Sequence, residues 1–212
     1  MMNNYLKLTP LPVSAWDPSL AHITEDMQSR PLNIHALMAH HPELLKAWWN
    51  FRNHAVGGGE LGKRYGELII LRVAVHLKSW YEWASHVERA LACGLTLEEV
   101  ERVKQGAQAT EWQPAEALLL KAVDELLTGH AIDAETLNGL YRHFNARQVM
   151  DLIAIQGMYV FLGGMINTWP LELDKHVQGK LPETVTKQQF EAEFQIDPTA
   201  QRLHAGYDQD YP

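Results

Sequence analysis

Residues 67–86 read ELIILRVAVHLKSWYEWASH, and this stretch decides the fold. Its first half, Glu67 followed by Leu68, Ile69, Ile70, Leu71, Val73, Ala74, Val75 and Leu77, is apolar nearly all the way round a helix. Such a helix is buried, so the few polar residues on it need partners. Ser79-Trp80-Tyr81-Glu82 opens a second helix, with His86 one turn after Glu82. Residues at i and i+4 share a helix face, so this carboxylate and imidazole can meet. A hairpin of the two helices could bring Glu67 to the same place.

Outward from this pair, helix signals dominate and strand signals are nearly absent. Pro31-Leu32-Asn33 turns into a helix over 34–39, and Pro42, at a first-turn position, opens another to about Ala55. Gly57-Gly58-Gly59 ends it. The buried helix is expected from about Glu60 to Leu77 and the next from Trp80 to Cys93. Thr96-Leu97-Glu98-Glu99 is an N-cap signature. The second half repeats the layout, with helices expected over 114–127, 133–144 and 146–167 and a stop at Trp169-Pro170. Gly157, Gly163 and Gly164 inside the last helix each cost about 1 kcal/mol relative to Ala and point to close packing, between subunits for example. Residues 1–173 are read as one all-helical domain. Residues 174–212 form a polar extension, with a short helix near 187–194 and four aromatics (Phe190, Phe194, Tyr207, Tyr211) that favour docking on a neighbouring surface.

The 212 residues suffice for a sizeable core, and 46% apolar with 21% charged residues is ordinary for a globular chain. A formal charge of −8 with no Lys/Arg cluster along any helix argues against nucleic acid and anionic membrane surfaces. The N-terminal stretch lacks the pattern of a signal peptide. The longest apolar stretch, Val149 to Trp169, holds Asp151, Gln156 and Asn167, which disfavours a membrane span. A cytoplasmic protein is the expectation. Cys93 is the only cysteine and precedes Gly94 at a helix end, so neither an intrachain disulfide nor a CxxC couple can form. His54, His76, His86 and Glu67 lack metal-ligand spacing, so no metal site is expected. Gly57-Gly58-Gly59 follows a helix rather than a strand and is not a dinucleotide fingerprint.

The run Arg64 to His86, flanked by Pro31-Leu32-Asn33-Ile34 and His41-Pro42-Glu43-Leu44-Leu45, resembles the carboxymuconolactone decarboxylase superfamily, which also contains the alkylhydroperoxidase D proteins. The similarity spans roughly residues 30 to 172, including Gly157-Met158-Tyr159. It implies an all-α fold of stacked helical hairpins of the alkylhydroperoxidase D-like type, assembled as a homo-oligomer, trimer or hexamer. The peroxidase branch places a CxxC pair and a histidine after a glutamate. Here Glu67 and His86 fall at the glutamate and histidine places, while Ser79 and Glu82 stand where the cysteines would be and Tyr81 where a histidine often lies between them. Without two thiols, hydroperoxide reduction by thiol exchange has no chemical basis.

The resemblance is closer to the cysteine-free decarboxylase branch, with its acidic residue four positions before a histidine. It implies a cofactor-independent lyase or isomerase that acts by proton transfer on a small unsaturated carboxylated lactone or related acid. Loss of CO2 from such a molecule leaves a dienolate that must be protonated at carbon, a task suited to a histidine oriented by a carboxylate. On this reading His86 is general acid/base, Glu82 its orienting partner or co-acid, and Glu67 a second carboxylate. Ser79 donates at the helix mouth, Tyr81 and Trp83 line an apolar pocket, and Arg72 holds an anionic group or pairs with a structural carboxylate. Purely structural readings stand beside these. Ser79 and Glu82 could form a capping box, His86 could be a satisfied core histidine, and Glu67 could pair with Lys63 or Arg64 along its own helix. A non-catalytic oligomeric small-molecule-binding protein of the same fold is the alternative function.

Overall fold

In the computed structural model, residues 8–28 and 30–194 are described. They contain helices and no strand. The helices are α1 (Ala21–Asp26), α2 (Asn33–Met38), α3 (Pro42–Val56), α4 (Lys63–His76), α5 (Trp80–Ala92), α6 (Leu97–Arg102), α7 (Pro114–Gly129), α8 (Ala134–Leu140), α9 (Ala146–Thr168), α10 (Lys175–Gln178) and α11 (Lys187–Glu193), with short 3-10 turns between some of them. Helix α4 is the axis of the fold: α5, α7 and α9 all pack on it. Nine of its fourteen residues are buried, Glu67 among them, which leaves little of the helix to face water.

The connections follow from local chemistry. Pro42 opens α3 where a missing N–H is harmless, and His41 Nδ1 accepts from the Leu44 N–H at 3.3 Å. Beyond α3 the glycine loop is pinned to α9. Asp151 accepts from the Glu60 N–H at 2.6 Å and pairs with His54 at 2.7 Å, and a Cβ on Gly59 would lie 2.2 Å from Asp151 Oδ2. Only glycine fits there, at φ 53°. Helix α5 ends in a Schellman turn. Gly94 has φ 93°, its N–H donates to Leu91 O, and Leu95 N–H donates to Ala90 O at 3.0 Å. Thr96 and Glu99 cap α6 reciprocally, as their spacing suggests.

Two clamps fix α7 to α4. Arg64 reaches Glu116 at 2.8 Å and Glu99 at 2.5 Å. One helical turn pair further on, Arg72 makes a fork to Asp124 (2.6 and 3.0 Å) and donates to the carbonyls of Val103 and Lys104. His76 completes this cluster at 2.7 Å from Asp124. Arg64 is thus engaged away from Glu67, so an ion pair along α4 does not account for Glu67.

Helix α8 stops at Leu140, short of the expected Phe144, because Asn145 takes the N-cap of α9, accepting from the Arg147 and Gln148 N–H groups. Phe144 is buried against Tyr65. By length and composition α9 could cross a membrane, yet half of its most apolar window is buried in the fold, with Asp151 and Gln156 also buried, as in a core helix. Of its glycines, Gly163 admits the Leu77 side chain, whose Cδ1 would be 2.3 Å from an added Cβ. Gly157 and Gly164 face open space.

The described part of the extension lies on this chain's own α5. Asp174 accepts from Tyr81 Oη at 2.5 Å and from the Asn33 N–H at 3.0 Å. Phe190 is fully buried against Trp80, Trp83 and Phe194, and Lys104 pairs with Glu193 at 2.7 Å. Tyr207 and Tyr211 lie outside the described residues.

Candidate active site

The α4–α5 hairpin turns at Leu77-Lys78-Ser79 and sets Glu67 of α4 beside Glu82 and His86 of α5. All three are buried. His86 Nδ1 lies 2.7 Å from Glu67 Oε2, and Nε2 lies 3.6 Å from Glu82 Oε2. The first is a hydrogen bond and the second is beyond normal reach. Glu67, not Glu82, therefore orients the imidazole: proximity across the hairpin outweighs the i, i+4 relation within α5. Arg89, one turn past His86, brings Nη1 to 3.2 Å from Nε2. Tyr159 of α9 meets the imidazole edge-on, with ring centroids 4.9 Å apart.

These groups set one another's charge. Burial depresses the His86 pKa, against a smaller upward pull from Glu67. The neutral imidazole then carries its proton on Nδ1, donated to Glu67, and presents the Nε2 lone pair to the Arg89 guanidinium; this tautomer is assigned from the network. Burial pushes Glu82 up to about 8, with Arg89 opposing and Glu67 adding to the rise. At neutral pH Glu82 is thus a carboxylic acid that holds a proton next to a neutral imidazole. Burial opposes the charge of Arg89, but Tyr159, Glu67 and Glu82 hold its pKa above the usual arginine value. Burial keeps the Tyr159 phenol protonated.

The site opens on a small, half-open cavity of about 30 Å³. Glu82, Ser85, His86 and Arg89 come from α5, His35 from α2, Arg52 from α3 and Tyr159 from α9. Ile34, Trp48, Met158 and Leu162 supply apolar wall. Tyr81 lines it as well, although its hydroxyl is turned to Asp174. Glu67 lies behind His86 rather than on the cavity.

The remaining anticipated residues lie elsewhere. Arg72 spends four of its five N–H donors on Asp124 and two carbonyls and does not line the cavity. Trp83 points to the extension, between Phe190 and the Lys104 ammonium. Ser79 is the N-cap residue of α5, but its side chain caps nothing and its buried Oγ has no partner among the described residues. The capping box with Glu82 does not form, since Glu82 faces the cavity instead.

Arg89, Tyr159, His35 and Arg52 went unnoticed. Arg89 was in principle readable, being three residues after His86 and seven after Glu82 on one helix face. The others reach the cavity from separate helices, which no local spacing reveals. Cys93 is partly buried with its thiol directed at Ala90 O, and burial and Glu67 raise its pKa. Among the described residues no group of three or more His, Cys, Asp or Glu is placed to hold a metal ion.

Comparison with known proteins agrees with this architecture. The sequence model of the Carboxymuconolactone decarboxylase family matches residues 42–125, a span that includes Arg52, Glu67, Glu82, His86 and Arg89. No curated protein sequence matches the chain. Among solved structures, the alkylhydroperoxidase AhpD core of an uncharacterized peroxidase-related protein from Ralstonia eutropha JMP134 superposes with a TM-score of 0.70 at 16% identity, covering 83% of this chain and 98% of that one. An uncharacterized peroxidase-related protein from Silicibacter sp. TM1040 gives 0.68 at 16% identity, over 85% of this chain and 99% of the other. A variant of the debrominase Bmp8 in complex with 2,3,4-tribromopyrrole gives 0.67 at 17% identity, over 82% and 94%. At such identities these likenesses speak for the fold alone. The family match over α3 to α7 and the shared helical architecture together support the carboxymuconolactone decarboxylase/alkylhydroperoxidase D superfamily as the one this chain resembles.

Proposed function

We propose that the protein is a cofactor-independent lyase or isomerase that moves a proton on a small unsaturated carboxylated lactone or related acid. The observation that carries this reading is geometric: Glu82 and His86 line one buried cavity, and Glu67 orients the imidazole from behind at 2.7 Å, while burial favours the acid form of Glu82 and the neutral form of His86. In the decarboxylation case the substrate's C–CO2 bond breaks and its electron pair passes into the unsaturated system as a dienolate. Glu82 gives its proton to carbon and is left as a carboxylate next to Arg89. His86, with its lone pair on Nε2, then takes a proton from water, whose hydroxide combines with the released CO2 as bicarbonate, and returns that proton to Glu82, while Glu67 steadies the transient imidazolium through Nδ1. In the isomerase case the same two groups remove and return the proton. Burial of the site favours loss of a carboxylate by stripping its water.

Thiol peroxidase chemistry is disfavoured on this reading, because Ser79 and Glu82 stand at the two thiol positions and Cys93 is single. A homo-oligomer, trimer or hexamer, in the cytoplasm belongs to the same proposal. The outward stripe of α9, with Met150 67%, Ile153 44% and Phe161 37% exposed around Gly157, supports an interface there.

The test is CO2 release and absorbance change on a panel of unsaturated carboxylated lactones and β-keto acids, with no cofactor added, for wild type, His86→Ala and Glu82→Gln. Turnover by wild type that is lost in both variants is the expected result. Turnover that survives Glu82→Gln overturns the assignment. A folded wild type that binds panel members but converts none favours the binding-protein alternative.

A further inference from the structure

Among the described residues, Arg64, Arg72, Arg102 and Arg147 each pair with a carboxylate. Arg52 and Arg89, the two arginines on the cavity, have no carboxylate within 4.0 Å among the described residues. Arg52 donates to Asn53 Oδ1 at 2.9 Å and lies over the Trp49 ring, and Arg89 gives one N–H to His86. A guanidinium has five N–H donors, so both retain several.

Two further donors face the same space. Trp48 is buried and its indole N–H has no acceptor, one of two such buried side-chain atoms among the described residues. His35 Nδ1 accepts from the Leu32 N–H at 3.3 Å, which puts the ring proton on Nε2, where the described residues offer no acceptor. The His35 pKa is pushed down to about 3 by burial and then by Arg52 and Arg89, so the ring adds a donor without a charge. Arg52, Arg89, His35 and Trp48 thus bring two positive charges and two neutral N–H groups to the cavity lining, against the apolar surface of Ile34, Met158 and Leu162. The buried Trp48 N–H without an acceptor and the neighbouring like charges are both costly, and one bound anion relieves both.

We infer that Trp48, Arg52, Arg89 and His35 form a wall that seats the carboxylate of a small planar organic acid, whose ring lies against Ile34, Met158 and Leu162. A carboxylate presents two coplanar acceptor oxygens, which suits a guanidinium fork, and the apolar floor selects a ring over a bare inorganic anion. The arginine pair takes the role that spacing assigned to Arg72. Burial and Arg89 depress the Arg52 pKa, and an anion between them restores it. This wall deepens the proposed reaction by fixing the anionic end of the substrate, but the binding claim does not depend on turnover.

The test uses benzoate, its neutral isostere benzamide, and inorganic phosphate, titrated into the full-length protein at pH 7 by calorimetry and tryptophan fluorescence. Benzoate should bind at least about tenfold tighter than either of the others. Arg52→Met and Arg89→Met should each weaken benzoate by about tenfold or more, and Trp48→Phe by a few-fold, with benzamide unchanged. Benzamide or phosphate binding as well as benzoate, or no benzoate binding by folded wild type, overturns the wall; that comparison needs no variant to fold. Benzoate binding without turnover on the lactone panel would sink the reaction and leave the wall standing.

Discussion

The seam between α4 and α7 and the cavity between α5, α3 and α9 are built from the same residue types and differ in one respect. In the seam every charge is answered: Arg64 by Glu99 and Glu116, Arg72 by Asp124, and His76 by the same aspartate. In the cavity burial favours the protonated form of Glu82 and the neutral form of His86, and among the described residues neither Arg52 nor Arg89 is ion-paired to a carboxylate. A satisfied network holds helices together and asks nothing of a ligand. An unsatisfied one, kept in place by the rigid helices around it, is where chemistry and binding are to be expected. The same lesson separates Glu67 from Glu82, two buried glutamates on adjacent helices. The one with a histidine partner positions, and the one without holds a proton.

Substitutions should break the two regions in different ways. The largest effect is expected in the cavity: Glu82→Gln should lower turnover by about 10²–10⁴-fold while the protein stays folded, measured by CO2 release on whichever panel member is a substrate. In the seam, Arg72→Met strands Asp124 and leaves a gap against Gly106, and should lower unfolding free energy by about 3 kcal/mol in urea titrations. A smaller loss there would mean His76 suffices to hold Asp124.

pH sharpens the contrast. Burial pushes the folded-state pKa of Glu82 up to about 8, above the ordinary glutamate value of 4.5, so the native state keeps a proton that the unfolded chain releases. Its contribution to stability therefore falls as pH rises from 4.5 to about 8 and is flat beyond. His35 and His86 act oppositely. Their folded-state pKa values lie below 6.5, so the unfolded chain binds protons the native state refuses and stability falls as pH drops below 6.5, for His35 down to about 3. Urea midpoints across pH should show both slopes, and Glu82→Gln should remove only the alkaline one. The smallest effect belongs to a region with neither role. Thr96→Ala removes the cap of α6 and should cost about 1 kcal/mol with turnover unchanged.

The sequence makes the helices legible because their signals are local. Pro42, Gly57-Gly58-Gly59, the Thr96/Glu99 box and Cys93-Gly94 mark ends that the structure keeps to within a few residues, and the apolar circumference of 68–75 marks the central helix. The meeting of Glu67, Glu82 and His86 was also readable, since it needs only one hairpin. Which carboxylate takes the imidazole was not, because that depends on how α5 lies across α4. For Arg72 the sequence leaves a ligand contact and a structural carboxylate both open, and the structure has the second, because its partner Asp124 lies 52 residues away where no local spacing shows it. The donor wall was hidden for the same reason: His35, Arg52 and Arg89 stand on three helices, and no spacing joins them. Only the fold shows the Trp48 N–H buried without a partner among the described residues.

The most direct measurement follows the glutamate carboxyl carbons by 13C NMR across pH 4–10 in wild type and Glu82→Gln. One glutamate titrating near 8, its resonance missing from Glu82→Gln, is the predicted result. If every glutamate in the folded wild type titrates within about one unit of the ordinary carboxylate range, Glu82 carries a negative charge at neutral pH and the account of an acid poised beside a neutral histidine is contradicted.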